Sequence, residues 1–532
     1  MIRATSGAGA AMQSRASLRL AAAALRSGNV AGARQMLHDR LLADPLDADA
    51  LELLAEIAAG ERAFEDSTIL LQRAVAADPA PRRRLVLVDH LRRHVSPALA
   101  LHEVEQLPET VRGQFEVMAM EAALTGALGL NERQIALYRA MVRQRPSSPG
   151  VWVSLGNALK TVGRTEEAVK ALRRALRAEP AFGEAWWTLA NFKSFRFSAR
   201  DLAEMHAALR HRLADSDALH IHFALGKAHE DRGEYEQSFR HYAAGNAIRA
   251  AGSDPDQAGV SALVDQSIAI FTSDFFERNR TGGCAEEGPI FVVGLHRSGS
   301  TLIEQILASH PLVEGTTELT VMKSIRDRIT RSSGASPAAA VAALEPSDFR
   351  RIGEEYLERT KPFRRTDRPF FVDKLPGNWT NLPLIRAALP NARIVDARRH
   401  PLACGFSNFK QNYASGVGFS YSLATIGAFY RDYWRFMRHF ESVQPSVACR
   451  MINERLIEQP EAEVRRMLAH LRLPFEPSCL EFHKNARAVQ TPSAEQVRRP
   501  INRDGVEQWR HYEPWLDELK ASLGEALDRW ED

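Results

Sequence analysis

The stretch FVVGLHRSGSTLIEQILASHP, residues 291–311, decides the fold of the second half of this 532-residue chain. It continues an uninterrupted apolar run, residues 290–293, which is typical of a buried parallel strand. Gly294 and Gly299 enclose a short loop, and an amphipathic helix follows from Ser300. Because strand, tight loop and helix N-terminus together direct backbone N–H groups at an anion, the stretch predicts a phosphate cradle in an α/β domain.

The spacing of the two glycines nearly matches the Walker A loop, G-x4-G-K-[ST], but Ser300 stands where that loop has its lysine. A cation occurs earlier in the loop, at Arg297. Nucleotide triphosphatases need the lysine on the β- and γ-phosphates. The loop therefore argues against triphosphate hydrolysis and makes a nucleotide kinase an unfavoured alternative.

A second basic stretch, ARIVDARRHPLACGFSNFKQ, covers residues 392–411. Residues 394–395 again indicate a buried strand, and Arg399 and Ser407 lie eight residues apart across a predicted loop-to-helix junction. A guanidinium and a hydroxyl suit a phosphate. In isolation the pair is more simply a solvated basic turn, but downstream of an anion loop it predicts a nucleotide with phosphates at two ends.

The first half of the chain is a repeat array. Pro45 and Pro79 lie 34 residues apart, as do Pro146 and Pro180, and so do Trp152 and Trp186. The unit WVSLGNALKTVGRTEEAVKALRRALRAEP, residues 152–180, predicts two amphipathic helices separated at Gly163. Further units are predicted at 14–46, 47–80, 115–147 and 219–251, and 81–114 and 182–218 fit less well. Stacked helix pairs of this kind form a solenoid that usually binds peptides or proteins.

Composition excludes several classes of function. With 69 basic and 66 acidic side chains the net charge is only +3, so we expect no nucleic-acid partner. The apolar stretches are shorter than the ~20 residues of a membrane span. The four cysteines form no CxxC pair, and no His/Asp/Glu cluster has clear metal-ligand spacing. We therefore expect a cytoplasmic protein without a membrane span, a disulfide framework or a metal.

On these motifs residues 288–511 resemble the sulfotransferase superfamily, which uses 3′-phosphoadenosine-5′-phosphosulfate, and within it the tyrosylprotein-sulfotransferase-like branch. The repeats resemble tetratricopeptide repeats, and bacterial members of that branch carry such repeats. The glycine-rich basic segment of cytosolic sulfotransferases is absent in its usual form, which argues against that branch. The resemblance implies that the loop holds the donor's 5′ end through Arg297, Ser298, Gly299, Ser300 and Thr301. It also implies that Arg399 and Ser407 hold the donor's 3′-phosphate.

Three further segments carry residue roles implied by the resemblance. In VEGTTELT, residues 313–320, Glu318 aligns with the catalytic base. In FVDKLPGNW, residues 371–379, Lys374 aligns with the catalytic lysine. In TPSAEQVRRPIN, residues 491–502, Ser493 is a catalytic candidate near the transferred group and Arg499 a candidate on a donor phosphate.

We therefore predict a tetratricopeptide α-solenoid at 14–251, a linker at 252–287 and a P-loop-like sulfotransferase α/β domain with a central parallel sheet at 288–532. The predicted activity is sulfuryl transfer to a hydroxyl, above all on a protein or peptide tyrosine presented by the repeats. The alternatives are a sulfotransferase of a glycan or small molecule, and a non-catalytic repeat scaffold. The residues identify neither the acceptor nor the oligomeric state.

Overall fold

The computed structural model describes residues 6–192, 194–252, 257–413, 417–485, 487, 496–503 and 505–532. Their contacts divide the chain into two compact units, Met1–Leu189 and Ala190–Asp532. Residues 190–251 are thus grouped with the C-terminal unit. The division at 251 and 287, which follows sequence pattern rather than contacts, stays a prediction.

In the first unit, helices that follow one another in sequence pack together. Its helices are α1 Ser6–Arg26, α2 Val30–Ala43, α3 Ala48–Gly60, α4 Phe64–Ala77, α5 Pro81–His94, α6 Pro97–Glu105, α7 Glu109–Arg112, α8 Phe115–Ala127, α9 Asn131–Gln144, α10 Pro149–Thr161 and α11 Thr165–Ala178, and α12 Gly183–Ala190 crosses into the second unit.

The 34-residue period has a physical basis in this unit. The indole N–H of Trp152 donates to the carbonyl of Pro146 at 2.8 Å, and that of Trp186 donates to Pro180 at 2.9 Å. These two repeats thus fix their first helix to the end of the preceding repeat in the same way. Gly163 has φ +78° in the turn between α10 and α11, a conformation that favours glycine. The predicted helical repeats are confirmed.

The second unit continues with helices and adds a sheet. Its strands are β1 Pro289–Gly294, β2 Val313–Gly315, β3 Phe370–Asp373, β4 Arg393–Arg398 and β5 Ala448–Ile452. Its helices are α13 Ala199–Leu209, α14 Asp215–Asp231, α15 Tyr235–Ala251, α16 Gln257–Ile270, α17 Ser273–Arg278, α18 Ser300–Ala308, α19 Val321–Ser333, α20 Pro337–Ala342, α21 Pro346–Thr360, α22 Leu382–Ala388, α23 Pro401–Phe409, α24 Leu423–Val443, α25 Asn453–Glu458, α26 Pro460–His470 and α27 Asp517–Leu523. Shorter 3₁₀ helices are Lys361–Phe363, Pro376–Asn381, Gly418–Tyr421, Pro477–Cys479, Phe482–Lys484, Gln496–Arg498, Gln508–Trp515 and Gly524–Leu527.

The sheet is parallel, with the order β2-β3-β1-β4-β5. Buried side chains of its strands, such as Ile290 and Val395, pack with helical residues such as Ile306 and Met467. The chain leaves β1 toward β2 on one side and later returns to β4 on the other. The order in which the chain adds strands therefore reverses between β1 and β4. Open α/β sheets bind their ligands at such a point, at the carboxyl ends of the strands. This confirms the predicted α/β domain with a central parallel sheet.

Membrane-spanning helices and disulfide bonds were both unexpected from the sequence. Among the described residues, no helix combines the length and the apolar character that crossing a bilayer requires. The four cysteines are free thiols, and three of them, Cys404, Cys449 and Cys479, are buried.

Candidate active site

Three neighbouring strands end at one edge of the sheet, and each is followed by predicted site residues. β1 ends at Gly294 and enters the loop 295–299. On one side, β4 ends directly before Arg399, and on the other, β3 ends directly before Lys374. The parallel register places these strand ends side by side, so segments distant in sequence contribute to one site.

Two glycines give the loop after β1 its shape. Gly294 has φ +140°, and a Cβ there would lie 2.3 Å from the carbonyl oxygen of Ala397 on β4. Gly299 has φ +96°, and its Cβ would lie 2.5 Å from Oδ1 of Asn453. The Ser298 hydroxyl donates to the Leu295 carbonyl at 2.7 Å inside the loop. The loop is therefore held closed by its own residues and delivers the chain to the N-terminus of α18.

The residues predicted for the two ends of the donor lie in contact. Nε of Arg297 donates to the Ser407 hydroxyl at 2.9 Å. Nη1 of Arg399 donates to the backbone carbonyl of Arg297 at 3.2 Å, and its Nη2 donates to the carbonyl of Gly505. Arg297 is a non-glycine residue at φ +68°, an uncommon conformation that the surrounding contacts hold. Arg297, Arg399 and Ser407 thus form one continuous basic cluster between β1 and β4.

The Arg399 side chain has one hydrogen-bond donor that is not used within this cluster. Its Nε is buried and makes no hydrogen bond within the described residues. The nearest charge is Oε1 of Glu454, 4.0 Å away. Burial lowers the pKa of Arg399 and raises that of Glu454, because both ions lose water. An anion with phosphate oxygens fits this environment, since it would supply both the acceptor that Nε lacks and a countercharge.

Lys374 is held between carboxylates on the other side of β1. Its side chain is only 2% exposed; it donates to Glu318 and lies 3.8 Å from Oε2 of Glu304. The other Glu304 oxygen is 2.5 Å from Arg487. The Glu318 side chain, by contrast, is 45% exposed. The predicted base therefore faces outward from a buried lysine, as a group that receives a proton from an incoming hydroxyl must.

His296 links the two groups of charges. Burial lowers its pKa to about 4, the cations Lys374 and Arg297 act in the same direction, and Glu318 opposes them. The imidazole is consequently neutral near pH 7. Its backbone carbonyl accepts from Asn408 at 2.8 Å, which ties the loop to α23.

Several residues of the site were not among those predicted from the sequence. Glu304 lies one helical turn after Ser300, a position that a helical projection of the loop-helix motif could have flagged. Arg487, Glu454 and Asn453 reach the site through tertiary contacts alone.

The remaining predicted residues have different outcomes. Gly299 caps α18, and Ser300 and Thr301 are buried in its first turn. Arg499 is exposed, directly after the turn Gln496–Arg498. Ser493 lies outside the described residues. The roles of all these residues stay predictions.

The chain matches two kinds of family model. Residues 289–477 match the sulfotransferase family, and residues 16–80 and 149–192 match tetratricopeptide repeats. The sulfotransferase match begins at the first residue of β1 and covers all five strands of the sheet.

Relatives of the chain cover it to different extents. An uncharacterised protein of Aquifex aeolicus is 29% identical over 406 residues, which are 74% of this chain and 53% of the relative. A Caenorhabditis briggsae protein named "Putative protein-tyrosine sulfotransferase" is 25% identical over 236 residues, which are 41% of this chain and 80% of the relative. The solved sulfotransferase domain of the Synechococcus PCC 7002 olefin synthase is 19% identical and covers 42% of this chain and 88% of its own, with a TM-score of 0.32. This chain spans about half the length of the Aquifex relative.

Proposed function

Since this chain joins tetratricopeptide repeats to a domain of the sulfotransferase family, we propose that it transfers a sulfuryl group from 3′-phosphoadenosine-5′-phosphosulfate to a hydroxyl, with a protein or peptide tyrosine as the acceptor. The observation that carries the proposal is the cluster of Arg297, Ser407 and Arg399, with the unused Nε of Arg399, at the point where the order of strands reverses. The proposal includes a cytoplasmic location.

The donor would be held at both phosphate-bearing ends. The first turn of α18, with Gly299, Ser300 and Thr301, offers an anion the positive end of a helix at the 5′ side, next to Arg297. Arg399 and Ser407 would hold the 3′-phosphate. Ser298 would act by shaping the loop, since its hydroxyl bonds within it. Arg499 and Ser493 complete the proposed set.

When bound, the donor supplies an activated sulfuryl group, whose transfer to a hydroxyl releases a nucleotide bisphosphate and a proton. A phenolic acceptor has a pKa of about 10, so it needs a base as its oxygen becomes bonded to sulfur. We propose that Glu318, whose side chain is 45% exposed, takes that proton. The buried ammonium of Lys374 can offset negative charge that develops on the departing oxygen.

The repeats support a peptide acceptor. In the first unit a groove is lined by Pro81, Arg82, Leu85, Val86, Asp89, Val111 and Gln114. Apolar side chains with flanking charges suit an extended peptide. Under this proposal Val86→Glu lowers transfer to a tyrosine peptide and leaves transfer to a small phenol unchanged. Equal loss with both acceptors would discard the role of this groove.

Calorimetric titration with adenosine 3′,5′-bisphosphate tests the donor site. We expect Arg399→Ala to weaken binding by roughly 1.5–3 kcal/mol, the range of a hydrogen bond to a charged group. Binding of adenosine 5′-monophosphate, which lacks the 3′-phosphate, should change far less. Arg465→Ala, at an exposed arginine of α26, is the matched control. If the wild-type chain does not bind the bisphosphate, or if Arg399→Ala weakens both nucleotides equally, the assignment is wrong.

Transfer of a labelled sulfuryl group tests the reaction and the acceptor. Lys374→Ala should lower turnover roughly 10²–10³-fold, as the loss of one charge-stabilising donor does in other enzymes. Label on a glycan or small molecule but never on a tyrosine peptide would replace the tyrosine acceptor with that alternative. Absence of transfer to any acceptor would favour the non-catalytic scaffold.

A further inference from the structure

A histidine cluster lies within the second unit, apart from the sheet. It consists of His206 on α13, His229 on α14 and His241 on α15, and one ring nitrogen of each lies within 4.8 Å of those of the others. The rings of His229 and His241 stack with their centroids 5.4 Å apart. No spacing in the sequence indicates this cluster, because its members come from three helices that only the fold brings together.

Two of these rings have a partner at Nδ1. Nδ1 of His229 lies 2.6 Å from a carboxylate oxygen of Glu234, while its Nε2 is buried and makes no hydrogen bond within the described residues. Nδ1 of His241 lies 3.0 Å from Nδ1 of His222. In each ring Nδ1 thus has a partner, which leaves Nε2 as the nitrogen that could bind a cation. A carboxylate behind an imidazole is also the usual orienting partner of a metal-bound histidine.

We propose that His206, His229 and His241 bind a transition-metal cation of the zinc class, with Glu234 and His222 orienting two of the ligands. Three imidazole nitrogens suit zinc and the neighbouring divalent metals. Tetrahedral coordination at about 2.0–2.1 Å would place ligand atoms roughly 3.3 Å apart, so nitrogens that lie up to 4.8 Å apart must approach by up to about 1.5 Å through side-chain rotation. This proposal replaces the expectation from the sequence that the chain holds no metal.

The cation would join three helices, two of which contact the end of α23. On α15, Asn246 donates to the carbonyl of Phe409 at 2.7 Å, and on α14, Glu230 pairs with Lys410 at 3.1 Å. Both partners lie at the end of α23, the helix that carries Ser407. The cluster has no contact with the predicted donor residues among the described interactions. The metal is therefore a structural one, independent of the sulfuryl-transfer proposal.

The test uses the full chain after treatment with a chelator. Titration with Zn²⁺ near neutral pH, followed by calorimetry, should give one tightly bound ion per chain and a higher melting temperature. Co²⁺ in its place should give the absorption of a tetrahedral site. His229→Gln should weaken Zn²⁺ binding at least about 100-fold, and Glu234→Gln, which removes only the orienting carboxylate, about 10–100-fold.

The matched control is His211→Gln, which replaces an exposed histidine just after α13 and should leave binding unchanged. If His229→Gln does not fold, His206→Gln replaces it, at a partly exposed member of the cluster. The proposal is overturned if the wild-type chain binds no stoichiometric Zn²⁺. It is equally overturned if the cluster variants bind Zn²⁺ as tightly as the His211→Gln variant, since surface histidines would then be the ligands.

Discussion

The ion pair between Glu230 and Lys410 offers a quantitative test of how the helices α14 and α15 are joined to the candidate site. The Lys410 ammonium lies 3.1 and 3.2 Å from the two carboxylate oxygens. Both side chains are largely buried, at 8% and 18% exposure for Glu230 and Lys410. Burial works against ionisation, but the positive charge of Lys410 holds the pKa of Glu230 below its usual value.

Lys410→Met would leave the Glu230 carboxylate buried without its countercharge. Three neutral donors remain: the Gln508 amide at 2.8 Å, the Tyr512 hydroxyl at 3.2 Å and the Tyr242 hydroxyl at 3.4 Å. Removing one partner of a buried pair typically costs about 3–5 kcal/mol, and these donors place the expected loss near the lower end, about 3 kcal/mol. Glu230→Gln with Lys410→Met should cost less than the two single changes added together, by about 1–3 kcal/mol.

Urea unfolding of the four proteins in this double-mutant cycle measures these free energies. Arg465→Met, which removes an exposed ion pair with Glu461, is the control and should change stability by less than about 1 kcal/mol. A depressed glutamate pKa contributes stability above the unfolded value of about 4.3 and loses it as the pH falls. The difference between wild type and Lys410→Met should therefore shrink in acid. A loss below about 1 kcal/mol at neutral pH, or strict additivity, would refute the reasoning.

Three further predictions concern the sheet. Burial raises the pKa of Asp373 to about 8, so the folded chain binds more protons than the unfolded chain between about pH 4 and 8. Its stability therefore falls as the pH rises through that window. Asp373→Asn should flatten this part of a profile of melting temperature against pH, and a profile parallel to that of the wild type would contradict the prediction. Gly294→Ala forces a Cβ to 2.3 Å from a backbone oxygen of β4 and should lower the free energy of unfolding in urea by at least about 2 kcal/mol. Gly377→Ala, where a Cβ meets nothing within 4 Å, should be tolerated. Equal effects of the two changes would be evidence against the tight loop. Arg398→Met removes the 2.8 Å partner of the buried Asp396 and should lower stability by about 3–5 kcal/mol, and a loss as small as that of Arg465→Met would show that the pair is dispensable.

Much of the fold was predictable because its signals are local. The apolar runs at 290–293 and 394–395 indicate strands without knowledge of their neighbours, and both strands are present. The 34-residue period predicts helix pairs because each repeat buries the same positions against the next. Arg399 and Ser407 were singled out by their eight-residue spacing downstream of the anion loop, which resembles that of the sulfotransferase superfamily, and their binding role stays a prediction.

The contacts of the charged residues could not be predicted from local signals. The pattern around Lys374 indicates neither the strand that precedes it nor its burial, and an isolated lysine is usually solvated. In the fold it follows β3 and lies between Glu304 and Glu318. β1 and β3 are distant in sequence but pair side by side in the sheet. Only this pairing brings Lys374, which follows β3, close to Glu304 on the helix after β1.

By itself, then, the sequence determined the helical repeats and the strand-loop-helix motif, because backbone periodicity and glycine conformation are properties of short segments. The tertiary structure alone decided that Arg297, Arg399 and Ser407 form one cluster and that Lys374 lies between Glu304 and Glu318. It also brought ring nitrogens of three histidines from α13, α14 and α15 within 4.8 Å of one another. Charge pairing, burial and the resulting pKa shifts depend on distances through space, and helix and strand packing sets those distances only after the chain has folded.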